Sequence, residues 1–455
     1  MAISLSHVSK PKGLELYEEH VNAQWAKLLR VLRMDVEYAR CLGAELETRD
    51  GRRILDFISG YCVHNIGHNH PWVVAALKEE LDRLGPAMLQ SHVSEIAGEL
   101  SSRLCRSAGG NIKRVYFANS GSEGVDTAIK FARAKTGRPG ILYAEGGFHG
   151  LTTGSLALMS NPFWTDGFGP FMPGTEAVPW GDLHALKTKL ASLKFAAFIV
   201  EPIQAESGVR SPEPRYLKDA KELCRRHGAL LVLDEVQTGL CRTGPFLAAH
   251  RFDVEPDIAV LAKALSGGLI PVAAVLMTDE VSGAVFSSLS RAFVHSSTFG
   301  ENSLAMRVGL ATLDVLEREN LGARAEASGE RLRARLKERL SKFEMFEETR
   351  GAGQLTAVRF KAPRSLALRA AFGSLSRVHP GLFGQILVMR LFRDHGILCQ
   401  ICANDFMALK IAPPLVATDE HIGRFVDGLA SVMELAHSSP AFWSEALGLV
   451  RRMAV

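Results

Sequence analysis

No stretch of this 455-residue chain approaches the run of about eighteen apolar residues that a membrane-spanning helix needs. The opening segment, MAISLSHVSKPKG, also lacks the apolar centre of a secretory leader. A chain without either is expected in the cytoplasm. Charge of one sign is scarce: 53 Lys and Arg stand against 49 Asp and Glu, a formal net charge of +4 with no long basic run. That balance gives no electrostatic footprint for nucleic acid, so small-molecule partners are expected instead. Cysteine is sparse too, with seven residues scattered through the chain. An odd number in a long chain without a leader argues against a disulfide framework. The lone C-x-x-C, Cys399 and Cys402, has no second pair to complete a metal site, and its spacing on a strand-like segment reads as core thiols. Repeats and low-complexity linkers are missing as well.

What is present is ordinary globular composition, 47% hydrophobic and 22% charged. The length lies well beyond the roughly 250 to 300 residues at which one core stops growing, so a two-part body is expected. Through the middle of the chain, short apolar runs alternate with amphipathic stretches of helical length. RVYFANS, GILYAEG, FAAFIVEP, ALLVLDEV and PVAAVLM read as buried strands, with SEGVDTAIKFARAK and PRYLKDAKELCRRHG as helices between them. The fold class is therefore α/β, a parallel sheet covered by helices over about residues 71–325. From about residue 326 the texture changes to a smaller α+β domain, 326–455, beginning with the charged helix ASGERLRARLKERLSKF. The segment 1–70 holds two strand-like pieces around the turn Asp50-Gly51 and is expected to pack with that smaller domain.

In open α/β sheets ligands lie beyond the carboxyl ends of the strands, so polar residues that follow apolar runs are the first candidates. FAAFIV delivers Glu201, ALLVL delivers Asp234, and DIAVLA delivers Lys263 followed by Ala-Leu-Ser-Gly-Gly. A lysine at the mouth of an apolar pocket loses its proton more easily, which is what an aldehyde cofactor requires of its anchoring amine. A pyridine nitrogen that must stay protonated requires a fixed carboxylate, and Asp234 can supply it. A phosphate requires backbone donors at a helix start, and Asn-Ser-Gly-Ser-Glu offers Gly121 and Ser122. Taken singly, each has a plain structural reading: a snorkelling lysine, a strand-end cap, a helix start. Their succession on neighbouring strand ends gives them weight.

The stretches NSGSEGVDTAIKFAR, FHG at Phe148 to Gly150, EPIQAESG, LVLDEVQTG, LAKALSGG, HSSTFGENSLA and IAPPL follow one another in register. In these the chain resembles the class III aminotransferases, the fold-type I pyridoxal-phosphate (PLP) enzymes that include ornithine, acetylornithine and 4-aminobutyrate aminotransferases. The resemblance covers nearly the whole chain. It implies a mostly parallel seven-stranded sheet, PLP as cofactor, and transfer of an amino group from a donor to a carbonyl acceptor in two half-reactions. It makes Lys263 the Schiff-base lysine and proton shuttle, and Asp234 the partner of the ring nitrogen. Phe148 and Val236 would face the two sides of the ring and Gln237 the phenolic oxygen, with Glu201 among the cofactor residues. Gly121 and Ser122 would hold the phosphate, and Thr298 would reach the phosphate of a neighbouring subunit, so a homodimer with a shared site is implied. His149 stands either in the cofactor region or as a packed structural histidine.

The chain departs from that pattern where a substrate carboxylate is expected to bind. Planar arginine forks usually receive an α-carboxylate, and the two that ornithine-type enzymes use correspond here to Leu151 and Lys410. Glu206, which can pair with the second, is kept. One substrate is thus expected to lack an α-carboxylate on the Leu151 side, while Lys410 with Glu206, helped by Arg350, receives an amino-acid donor. A different arginine taking over is the plainer reading. Tyr61, Phe163 and Trp164 would suit a bulky or lipid-like aldehyde and would equally suit ordinary packing. Ornithine-type chemistry with 2-oxoglutarate, an aminomutase, racemase or decarboxylase reaction, and a relative without catalysis are the alternatives. His64, His68 and His70 have a spacing suggestive of a metal site, but no carboxylate or cysteine completes a ligand set in the sequence, so no metal is expected. Arg350-Gly-Ala-Gly lacks the third glycine and the strand-to-helix context of a nucleotide loop.

Overall fold

The structure is a computed structural model that describes residues 13–89 and 91–453. Seven strands form its largest sheet: β1 (Ile112–Ala118), β2 (Gly140–Ala144), β3 (Thr175–Val178), β4 (Phe195–Val200), β5 (Leu230–Asp234), β6 (Ile258–Leu261) and β7 (Ala273–Thr278). Their spatial order is β1-β7-β6-β5-β4-β2-β3. The pairs from β3 through β6 are parallel. β7 runs antiparallel to both β6 and β1. The apolar run PVAAVLM therefore marks a strand, while its direction depends on the short return after Lys263, which the run itself does not reveal.

The central strands are apolar throughout because both faces are covered. Alternate residues divide between two cores: Phe198, Val200, Leu231 and Leu233 pack on one side, and Ala197, Ile199, Val232 and Val260 on the other. The helix Gly121–Thr136 lies against the second face, started by Ser120, whose Oγ accepts from Glu123 N at 3.2 Å, and ended by Gly137 in the left-handed region. Gly124 lets this helix approach closely, since a Cβ there would stand 2.7 Å from Val260 Cγ1. β3 did not stand out in the sequence: TEAV is a four-residue edge strand with only its last residue buried.

A second core gathers the helices Leu321–Leu340, Leu382–His395 and Asp419–Ser438 around Phe343, Phe383 and Phe425. A four-stranded antiparallel sheet accompanies it: Phe346–Ala352, Leu355–Phe360, Ala408–Ile411 and Gln400–Ile401. The N-terminal region supplies three strands, Tyr38–Leu42, Glu45–Thr48 and Arg53–Asp56, where two pieces had been expected. The last pairs in parallel with Ile397–Leu398, so residues far apart in sequence share one sheet. The strand-like ILCQI is thus divided between two sheets, with Cys399 buried at the crossing. Cys402 is also buried, and both are free thiols. No helix among the described residues is long and apolar enough to cross a membrane.

Candidate active site

The strand ends after β1, β4, β5 and β6 converge on a cavity of about 520 Å³. Of the residues singled out in the sequence, Gly121, Ser122, Phe148, His149, Glu201, Asp234, Val236, Gln237 and Lys263 all line it, and Leu151 stands at its side. Gly121 and Ser122 open the helix Gly121–Thr136, whose first-turn N–H groups and macrodipole favour an anion. A Cβ at Gly121 would come within 3.0 Å of the Val236 side chain, so glycine keeps helix and valine in contact. Gly150, with φ +121°, brings the Phe148 loop against Ser122, whose Oγ accepts from Leu151 N at 3.2 Å.

Below this lies a buried row of acids and imidazole. Asp234 Oδ1 accepts from Val236 N at 3.1 Å, and Oδ2 bonds His149 Nδ1 at 2.8 Å. Burial alone would depress the His149 imidazolium, but the hydrogen bond and charge of Asp234, with the charge of Glu201, carry it above the ordinary histidine value. Glu201 accepts from Phe148 N at 2.9 Å and from Ala205 N at 3.1 Å. Burial pushes its carboxyl up to about 7, against the opposing charge of His149. Lys263 follows β6 in a left-handed conformation, φ +42°, an uncommon state for a lysine and one found where surroundings impose it. Burial lowers its amine below the usual lysine value.

Beside the row, Lys410 is fully buried and ion-paired with Glu206. Gln237 Nε2 donates to the same carboxylate at 3.2 Å, and Ala403 N donates to its other oxygen at 3.1 Å. Burial opposes both charges, yet the pairing prevails, so Glu206 sits below and Lys410 above its ordinary value. The Tyr61 ring caps Lys410 Nζ at 4.7 Å. Leu151 is 56% exposed. Phe148 meets Trp164 edge-on at 5.1 Å, and Trp164 meets the exposed Phe163 at 4.7 Å.

Five of the expected site residues are not part of the cavity wall: Tyr61, Glu206 and Lys410, which cluster with one another, and Arg350 and Thr298, which lie elsewhere. Arg350 donates to the carbonyls of Gly208 at 2.5 Å and Ser207 at 3.2 Å and lies 3.6 Å from Asp405, away from the cavity wall. Thr298 is exposed and lies outside that wall. Two of the three histidines meet, His64 stacking on His68, which bonds Asp56 at 2.7 Å, while His70 stands apart and bonds Glu319 at 2.9 Å.

A family model described as aminotransferase class-III matches residues 30–433. The chain belongs to the class III aminotransferases. Ornithine aminotransferase of Rattus norvegicus is 36% identical over 386 residues, 83% of this chain and 81% of the relative. Aminotransferase PigE of Serratia sp. (strain ATCC 39006) is 32% identical over 95% of this chain, which spans only 54% of that longer protein. Among solved structures, ornithine aminotransferase from Toxoplasma gondii superposes with a TM-score of 0.79 at 31% identity, covering 94% of this chain and 100% of that one.

This aminotransferase is a PLP-dependent enzyme of fold type I. The cavity fits that cofactor. Its floor keeps polar atoms without protein partners, Gln237 Oε1 and His149 Nε2, one end has the helix start, and Phe148 and Val236 offer walls for a flat ring. Residues not singled out from sequence also line the aminotransferase cavity, among them Val63, Asn119, Ala262 and the Leu269 to Val272 wall. Asn119 and Ala262 lie inside the stretches NSGSEGVDTAIKFAR and LAKALSGG, and Leu269, Pro271 and Val272 follow the second, a signal that could have found them. Val63 had none, because it comes from the N-terminal region.

Proposed function

We propose that this aminotransferase takes an amino group from an amino-acid donor of the glutamate or ornithine type and delivers it to a bulky, lipid-like aldehyde that lacks an α-carboxylate. The observation that carries this reading is the charge of the cavity wall. Among its described residues Lys263 is the single Lys or Arg, and a leucine stands where a fork would receive a carboxylate. Lys410 is neutralised by Glu206 and receives a donor carboxylate only when that pair opens. The chain of rings from Phe148 through Trp164 to Phe163 supports an apolar partner at the mouth.

PLP, when bound, supplies an aldehyde and an electron-withdrawing ring. In this reading Lys263 Nζ would hold the aldehyde of the cofactor and, when free, would be the base that takes up and returns a proton at the substrate. Asp234, backed by His149, holds the ring nitrogen protonated. Phe148 and Val236 hold the ring plane, Gln237 faces the phenolic oxygen, and Gly121 with Ser122 holds the phosphate. Residues 71–325 then form the cofactor unit, and residues 1–70 with 326–455 the second unit; the pairing of Arg53–Asp56 with Ile397–Leu398 supports that division.

A homodimer completes the reading, with Thr298 reaching the neighbour's phosphate. Leu84, Val93, Leu289 and Phe293 are large apolar side chains left exposed, and Met88, Leu89, His92, Phe293 and Ser297 share one cleft, which supports a second copy there. Seven free thiols support a reducing, cytoplasmic location. The test is a panel of donors and acceptors. A long-chain aldehyde should exceed 2-oxoglutarate as acceptor in kcat/KM; ornithine with 2-oxoglutarate as the fastest pair by a wide margin would instead establish ornithine-type chemistry, the second reading, which the retained Glu206 favours.

A further inference from the structure

Glu201 is buried, among the described residues no Lys or Arg side chain is bonded to it, and each oxygen takes one backbone N–H, from Phe148 and from Ala205. Those two donors belong to different loops. The Phe148 peptide leads directly into His149, whose Nδ1 meets Asp234 at 2.8 Å, while His149 Nε2 has no hydrogen-bond partner. Ala205 leads directly into Glu206, the partner of Lys410. One carboxylate therefore pins the loop that backs Asp234 and the loop that faces the substrate.

The charges follow the same line. His149 bonds one acid, Asp234, through Nδ1, and feels the charge of a second, Glu201, whose carboxylate holds the N–H of the preceding residue, Phe148. Arg210 also feels Glu201, but its guanidinium is bonded to the Gln204 side chain and, at 3.4 Å, to the Glu145 carbonyl. A buried imidazole beside one carboxylate can share a neutral hydrogen bond; beside two it is favoured as a cation.

We propose that Glu201 is a positioning residue that acts through His149: it supplies the second negative charge that keeps the imidazole cationic, so that Asp234 is held in place and oriented toward the ring nitrogen. The neutral alternative, Gln at 201, would keep the size but withdraw the charge, and His149 would become a neutral donor to Asp234.

The test uses the holoenzyme with nitrogen-15-labelled histidine, His149 being assigned from the signal lost in His149→Gln. In Glu201→Gln the imidazole midpoint should fall by about one pH unit, a tenfold change in proton affinity. The limb of donor kcat/KM nearest neutrality should shift with it, and adding Glu201→Gln to His149→Gln should move that limb no further. A His149 midpoint unchanged in Glu201→Gln, or a limb shift that persists in the His149→Gln background, overturns the proposal, since a purely structural clip would act without His149. Should Glu201→Gln fail to fold, wild-type protein still decides: a cationic His149 at pH about 7 is expected, and a neutral one refutes it.

Discussion

Replacing Lys410 with methionine removes one member of a fully buried ion pair and leaves Glu206 among apolar neighbours with only Gln237 and Ala403 as donors. Breaking such a pair by deleting one partner costs about 3 to 5 kcal/mol, because an uncompensated charge remains in a low-dielectric site. At about 2 °C per kcal/mol for a large domain, the melting temperature should fall by about 6 to 10 °C. The pH dependence is the sharper part. In the wild type Glu206 lies below its ordinary value, so its contribution is present above about pH 4.5 and is lost as pH falls through its folded value. Lys410 lies above its ordinary value, so its contribution is present below about pH 10.5 and is lost only as pH rises through its folded value. In Lys410→Met the cause that lowered Glu206 is gone and burial raises it, so the variant loses stability as pH rises. The gap between the two proteins should therefore widen from about pH 4 to about pH 8. Differential scanning calorimetry of both proteins across that range measures it, and Lys410→Met/Glu206→Gln should recover at least half of the loss. A gap that is constant with pH, or a double variant less stable than the single, would show that Lys410 matters for packing rather than for charge.

Lys263→Ala should fold, should lack the visible absorbance band of the bound cofactor, and should lose transamination; a variant retaining both would remove Lys263 from its proposed role. Leu151→Arg places a fork at the exposed wall position and should raise kcat/KM for carboxylate-bearing substrates about tenfold, roughly 1.4 kcal/mol of transition-state binding. No gain with any amino or keto acid would mean that position 151 does not face the substrate. Gly150→Ala forces a side chain into a backbone of φ +121° and into Ser122, at about 1 to 3 kcal/mol, so cofactor affinity should drop by at least about fivefold in equilibrium titration. Equal affinity would separate the Phe148 loop from the phosphate end.

Much of the cavity was legible because its parts are local. Asp234 and Lys263 each follow an unbroken apolar run, and an apolar run is buried on both sheet faces whatever the rest of the chain does. The helix start at the cavity was legible for a similar reason: Ser120 caps, Gly121 and Gly124 permit approach, and all lie within one helical turn. The direction of β7, the edge strand Thr175–Val178 and the division of ILCQI between two sheets depend on pairing partners distant in sequence. Short segments carry too little pattern to name those partners.

By itself, then, the sequence determined the family, the cofactor, and the strand ends that meet at the cavity, since motif spacing and hydrophobic periodicity are properties of neighbours along the chain. Only the tertiary structure decided which charges remain available. It buried Lys410 against Glu206, turned Arg350 to the Ser207 and Gly208 carbonyls, and left Leu151 open to the cavity. It also set Glu201 across two loops that no spacing connects. The physical reason is that an ionic side chain acquires its role from what desolvates it and what pairs with it, and both arrive from other parts of the fold.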